Sequence, residues 1–136
     1  MQSPSIPRPG ITRDNQFFWD GVAQGRLLIQ RCASCGSLRQ PPAPMCGDCN
    51  SLEWDTQESS GRGEVYSWVY SHHPSEPDAQ PRVVVLVELE EGVRLVSNLR
   101  EVPHDAIRNG QPVEVFFVEE DGVKLPQFRP RSGVRA

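Results

Sequence analysis

Lysine is almost missing from this chain: of 14 basic residues in 136, only Lys124 is a lysine, and the formal net charge is −4. Residues 1–60 carry 5 basic and 6 acidic side chains, and residues 61–136 carry 9 and 12. Neither half is a basic patch by count. Proteins that track a phosphate backbone need a clustered excess of Lys and Arg, so nucleic acid is a poor expectation. No apolar run is long enough to span a bilayer, which excludes a transmembrane helix. No targeting segment is recognisable, and the expected compartment is the reducing cytoplasm. The chemistry-bearing motifs are missing too. There is no G-x-S-x-G elbow, no glycine loop to cradle phosphate, and no cysteine outside one cluster. His72 and His73 are adjacent, so in a strand they point to opposite faces. With His104 they are expected as solvated loop residues rather than as an acid–base or metal site. No catalytic residue is therefore assigned.

The four cysteines that are present lie close together, as Cys32-Ala33-Ser34-Cys35-Gly36 and Cys46-Gly47-Asp48-Cys49-Asn50. A C-x-x-C turn points both sulfurs into one space, and two such turns face to face make a tetrahedral tetrathiolate. Each pair is followed by a residue that tolerates positive φ, Gly36 and Asn50, as a tight knuckle requires. The expected reading is a zinc ribbon with Cys32, Cys35, Cys46 and Cys49 as ligands to a structural Zn²⁺. Iron on the same sulfurs and two disulfides are the alternatives. Four thiolates leave no open position for water or substrate, so the metal would hold the fold. Arg31 and Arg39 flank the first knuckle and could offset its charge, or stand as solvated arginines.

The chain around the ribbon divides by pattern. Residues 1–25 are an arm rich in Pro4, Pro7, Pro9 and Gly10, then a short helix capped by Thr12 or Asp14 and stopped by Gly25. Phe17, Phe18 and Trp19 cover more than one face of that helix, so part of their ring surface is expected to find cover elsewhere. Residues 26–58 are the ribbon, with a strand over Arg26 to Arg31, a rigid Pro41-Pro42-Ala43-Pro44 loop, and Leu52 and Trp54 packing over it. Thr56 to Gly63 reads as the boundary between two units.

Residues 59–130 read as strands. Glu64 to Tyr70 alternates, with Tyr66, Trp68 and Tyr70 on one face. Val83 to Val87 is expected to be buried on both faces or nearly so. Val93 to Leu99 follows a Glu90-Glu91-Gly92 turn, Pro103 to Arg108 forms one helical turn, and Val113 to Val118 and Val123 to Phe128 complete the set. Five strands with a helical element between the third and fourth is the order of an OB-fold barrel. The fold class is thus mainly β: a short N-terminal helix, a ribbon and a five-stranded barrel. The aromatic strand face could stack bases or pack at an interface. The tail beyond the barrel, residues 131–136, continues an acid-free stretch from Phe128, whose Arg129 and Arg131 could meet phosphate; a frayed terminus is the alternative.

The ordered set Phe17-Phe18-Trp19-Asp20-Gly21, Arg31-Cys32, Cys35-Gly36, Pro41-Pro42, Cys46-x-x-Cys49, Ser60 to Trp68 and Leu125-Pro126-x-Phe128 resembles a known family. These are the acyl-CoA-associated OB-fold proteins with a rubredoxin-like zinc ribbon, long catalogued as a domain of unknown function. The resemblance covers about residues 14–130. It implies a non-catalytic subunit in a hetero-oligomer with a thiolase-superfamily enzyme, such as a lipid-transfer-protein-like thiolase or aldolase, or a fusion to a MaoC-type hydratase. One branch looks like the partner of the retro-aldolase that shortens steroid side chains carried on coenzyme A; another bridges a thiolase to a hydroxymethylglutaryl-CoA synthase. On that reading Phe17, Phe18, Trp19, Tyr66, Trp68 and Tyr70 are candidate partner contacts, Arg129 and Arg131 are candidate CoA phosphate contacts, and acyl-CoA is met indirectly. The alternative is a nucleic-acid-binding ribbon and OB module.

Overall fold

The computed structural model describes residues 9–72 and 81–131. Helix α1 (Gln16–Ala23) leads into a three-stranded sheet in the order β2–β1–β3, formed by β1 (Leu28–Cys32), β2 (Leu38–Arg39) and β3 (Trp54–Glu58). A five-stranded sheet follows in the order β6–β5–β4–β7–β8, built from β4 (Arg62–Ser71), β5 (Arg82–Leu89), β6 (Arg94–Asn98), β7 (Pro112–Glu120) and β8 (Val123–Pro130). A single 3₁₀ turn, His104–Ala106, lies between β6 and β7. His73 and the residues to 80, the N-terminal arm through residue 8, and the tail from 132 lie outside the described residues.

α1 is held at its end rather than its start. Neither Thr12 nor Asp14 caps it: Asn15 occupies the cap position without a side-chain cap bond. Its amide instead accepts the Thr12 N–H at 2.7 Å and donates to the Gly10 carbonyl at 3.0 Å, tying down the chain before the helix. At the other end Gly25 takes φ +74°, its N–H reaches the Val22 carbonyl, and the Arg26 N–H reaches that of Gly21. That reciprocal pair is a Schellman stop, and it turns the chain directly into β1. Phe18 and Val22, four residues apart, put one face of the helix into the core. Ala23 and the polar residues face water.

The second sheet closes on itself. All neighbouring strands pair antiparallel. The free edges of β6 and β8 meet where Leu99 bridges Phe128 in parallel, with the Arg100 N–H on the Phe128 carbonyl at 2.8 Å. The Ser97 hydroxyl donates to the Pro126 carbonyl at 2.7 Å beside it. Closure removes the exposed strand edges, as a small OB barrel does. The first strand must serve both halves of the barrel. Residues Arg62 to Glu64 of β4 pair with β7 on one side, while Gly63 to Ser71 run along β5 on the other. At Gly63 a β-carbon would strike the Glu88 carbonyl, so the close approach of β4 and β5 requires glycine there.

One core joins the pieces. Phe18, Val22, Leu27 and Ile29 belong to the same buried cluster as Val65, Val83, Val85, Val87, Leu89 and Phe128 of the barrel. Val22, Val85, Val87, Val113 and Phe128 are each 0% exposed. Burying a side chain of that kind is worth roughly 1.5–3 kcal/mol.

Several expectations need correction. β5 is buried on alternate residues only: Val84 and Leu86 are half-buried on the outer surface, because a barrel covers just one face of each strand. Thr56, Gln57 and Glu58, expected in the boundary, pair with Gln30, Ile29 and Leu28 as the last residues of β3. The connection to the barrel shrinks to Ser59–Gly61, where Glu91 accepts the Ser59 hydroxyl at 2.7 Å and the Ser60 N–H at 2.9 Å. Leu52 does not pack over the ribbon but is 64% exposed. Phe128 to Pro130 is no frayed tail, since it forms the end of β8.

Candidate metal centre

The two C-x-x-C turns build the same structure twice. In the first, the Gly36 N–H donates to the Cys32 carbonyl and the Cys32 N–H takes the Ser37 carbonyl. In the second, Asn50 donates to Cys46 and Cys46 to Ser51, all four bonds falling between 2.8 and 2.9 Å. Gly36 at φ +81° and Asn50 at φ +63° turn the chain away, as the spacing predicts. The Ser34 and Ser51 hydroxyls meet at 2.9 Å, and Ser37 donates to Asp48 at 2.5 Å, lacing one knuckle to the other.

All four Sγ atoms lie within 4.8 Å of one another. The cross pairs Cys32–Cys49 and Cys35–Cys46 are 3.6 and 3.7 Å apart. Four sulfurs on a tetrahedron with metal–sulfur bonds of about 2.3 Å would stand about 3.8 Å apart. The sulfurs are therefore at ligand spacing, and far beyond the ~2.05 Å of a disulfide bond. All four thiols are free. Cys32 and Cys46 are buried, while Cys35 and Cys49 face outward. The residues fit a tetrathiolate-bound dication that pins β1, β2 and the following loop together.

The two thiols of each knuckle are shifted in opposite directions. The Cys32 thiol is lowered to about 6, chiefly by a hydrogen bond from the Cys35 N–H. Cys46 is lowered by the N–H groups of Cys49 and Asp48. For Cys35 the Ser37 N–H works in the same direction, but desolvation and the adjoining sulfurs outweigh it and push the thiol up to about 12. Cys49 is likewise raised: against the Ser51 N–H stand the Cys32 sulfur and desolvation. In each knuckle, then, the first thiol is lowered and the second raised.

The other residues singled out in the sequence are dispersed. Arg31 is committed to Asp55, with two bonds of 2.8 and 3.1 Å. Phe18 is 7% exposed and belongs to the core, which leaves it no surface for a partner. Phe17 packs on Trp54 with ring centroids 5.0 Å apart, and Trp19 lies edge-on to Phe18 at 5.0 Å; both are half-buried. Tyr66, Trp68 and Tyr70 do not share a face. A bulge shifts the register between Val65 and Ser67, so Val65 pairs with Val87 while Trp68 and Tyr70 pair with Val85 and Val83. The extra residue is Tyr66, which leaves the aromatic row and packs under the Arg94 guanidinium at 3.8 Å. The Tyr70 hydroxyl is used internally, donating to the His104 carbonyl at 2.6 Å.

Arg129 and Arg131 are also occupied. Arg129 pairs with Glu114 at 3.1 Å and lies over the Phe116 ring at 4.8 Å; Arg131 pairs with Glu90 at 3.8 Å. His72 is exposed. What sequence reasoning missed is a cavity of about 360 Å³ where helix, ribbon and barrel meet. Phe18, Trp19, Pro41, Val96, Leu125 and Pro126 are among its lining residues, drawn from four separate stretches that no local pattern connects. No helix among the described residues is long and apolar enough to cross a membrane.

Comparison with known proteins adds to this geometry. Residues 19–55 match the family model for the ChsH2 rubredoxin-like zinc ribbon domain, and residues 56–118 that for the ChsH2 C-terminal OB-fold domain. A probable enoyl-CoA hydratase alpha subunit of Thermomonospora curvata is 51% identical over 126 residues, 91% of this chain and 40% of that protein. The 3-oxo-4,17-pregnadiene-20-carboxyl-CoA hydratase alpha subunit of Mycobacterium tuberculosis is 44% identical over 131 residues, 96% of this chain and 42% of that protein. The chain thus spans about two fifths of the length of these two relatives. A chain of a solved structure described as an Ltp2-ChsH2(DUF35) aldolase superposes with a TM-score of 0.84 at 50% identity, covering 90% of this chain and 98% of that one.

Proposed function

The chain belongs to the DUF35 family, whose ChsH2 zinc ribbon and OB-fold models it matches, and from that premise we propose that it is the accessory subunit of an acyl-CoA enzyme. The partner we propose is a thiolase-like catalytic subunit of the Ltp2 kind, with which this chain forms a retro-aldolase in steroid side-chain degradation. One observation carries the reading: half-identity over 98% of a chain from an Ltp2-ChsH2(DUF35) aldolase. The steroid substrate rests on the pregnadiene-carboxyl-CoA named for the M. tuberculosis relative.

The physical chemistry of the chain supports the same division of labour. Four thiolates saturate a tetrahedral metal, so the centre holds the ribbon and offers no site to a substrate. The partner would supply the reacting groups, and this chain would lend surface. Candidate contacts are the half-buried Phe17, which packs on the exposed Trp54, and the half-buried Trp19, which packs on Phe18. Such aromatic clusters are the usual anchors of an interface. The alternative of base stacking loses its platform at the Tyr66 bulge and has no basic groove to accompany it.

The test is co-expression with an Ltp2-like subunit, followed by size-exclusion chromatography and an assay of thioester-linked aldol cleavage. The expected result is one hetero-oligomeric peak, and cleavage that the partner alone sustains poorly. Two separate peaks, with the partner fully active by itself, would reject the assignment.

A further inference from the structure

The cavity and the arginine pairs above leave one buried charge unexplained, that of Arg39. Its Nε donates to the Gln30 side-chain oxygen and to the Ala43 carbonyl, both at 3.0 Å, and the Ala43 N–H joins the same Gln30 oxygen at 2.9 Å. These acceptors are neutral. The two terminal nitrogens, Nη1 and Nη2, are buried and have no hydrogen-bond partner. Arg26, Arg31, Arg62, Arg94, Arg129 and Arg131 all pair with carboxylates. Arg39 has no such pair. A buried cation without a counter-charge is costly, and something nearby must offset it.

The fold says where that charge sits. Arg39 stands in register with Gln30 across β1 and β2, so the two side chains leave the sheet on the same face. Gln30 is 1% exposed. It lies two residues before Cys32, and strand alternation puts those two side chains on one face as well, about 7 Å apart along the strand. Arg31, between them, points the other way and meets Asp55 at the surface. Arg39 therefore shares the metal face of the ribbon sheet. Four thiolates around a dication carry a formal charge of −2. The guanidinium of Arg39 and a loaded tetrathiolate would thus lie on one side of the same sheet, and Arg39 lines a cavity with Gly47 of the second knuckle.

We propose that Arg39 is the counter-ion of the loaded tetrathiolate: held by Gln30 and Ala43, it raises the affinity of the site for a dication through space, without touching the metal. The role belongs to the charge and not to the guanidinium fork, which separates it from a packing role. It is independent of any partner enzyme.

Competition with a chromophoric chelator at fixed pH measures the affinity of the purified chain for Zn²⁺. Arg39→Met and Arg39→Gln should each bind zinc at least tenfold more weakly, while Arg39→Lys stays within about threefold of the parent. Arg31→Met, on the opposite face, should change less than twofold. In the Co²⁺-loaded protein, removing the nearby positive charge should move the sulfur-to-metal charge-transfer band to longer wavelength in the two neutral variants, and not in Arg39→Lys. Circular dichroism at saturating zinc establishes which variants fold. If one neutral variant fails to fold, the comparison of the other with Arg39→Lys decides. A neutral variant that binds zinc as tightly as the parent would overturn the proposal, as would a lysine variant no better than glutamine.

Discussion

In the ribbon, β1 buries Ile29, Gln30 and Cys32, while neither β2 nor β3 buries a single side chain. In the barrel, β5 alone buries Val83, Val85, Val87 and Leu89, and β8 adds Leu125, Gln127 and Phe128. A three-stranded sheet with so little apolar burial cannot offset the entropy of ordering its chain, and the metal site makes up the difference. The barrel needs no such clip, because closure at Leu99 and Phe128 lets five strands bury their inner faces together. The ribbon is thus conditional on an ion and the barrel on packing, although α1 and β1 feed the core they share.

The sharpest way to break that contrast is Cys35→Ser. Zinc binding to structural sites of this kind is worth of order 10–16 kcal/mol. Losing one of four ligands should release the metal and unfold the ribbon, while most barrel amides keep their dispersion in an NMR spectrum. Metal analysis together with that spectrum checks it; global collapse would mean that the ribbon is as much a part of the barrel core as Val65. Next in size is Phe128→Ala, at a fully buried position. A cost of about 3–5 kcal/mol is expected from the lost burial and the cavity left behind. Chemical denaturation should record it, with zinc content unchanged, the reverse of the cysteine result.

Gly63→Ala should cost about 1–3 kcal/mol, because a β-carbon meets the backbone carbonyl of Glu88 and β4 must move off β5. Gly47→Ala, in the ribbon with open space around it, should cost far less and serves as the matched control. The smallest effect concerns the latch between the two regions. The Glu91 carboxyl is held below its ordinary value: desolvation opposes this, but the Ser60 N–H and the Ser59 hydroxyl prevail. A depressed carboxyl contributes stability above its unfolded pKa of about 4.3, and that contribution is lost as pH falls through the folded value. Since the group is largely solvated, the loss should stay below about 1 kcal/mol. Glu91→Gln should flatten the stability profile on the acid side of pH 5, and an unchanged profile would show that the latch carries nothing.

Much of this is legible in the sequence. The knuckles are, because a C-x-x-C turn followed by Gly36 or Asn50 is a local instruction that needs only a few adjacent residues. The order of the five barrel strands is legible for a similar reason, being written in alternation and turn residues. The bulge at Tyr66 is not. The run from Val65 to Tyr70 alternates without interruption, and only the demand that β4 serve two halves of the barrel breaks its phase. Nor is the outward face of β5: Val84 and Leu86 look like core residues until the barrel closes away from them. Leu52, apolar yet exposed, is not legible either, because the neighbours that decide burial come from elsewhere in the chain.

By itself, then, the sequence determined what short-range stereochemistry can determine: four sulfurs in two turns, a helix ended by Gly25, and strands in OB order. Tertiary structure alone decided which surfaces those elements keep. It packed Phe18 inside and left Phe17 and Trp19 half-exposed, tied Arg129 and Arg131 to the chain's own carboxylates, and left Arg39 without a carboxylate on the metal face. The reason is one of range. Backbone conformation and ligand spacing are set within a few residues, whereas burial and charge compensation depend on groups that meet only when the sheets close.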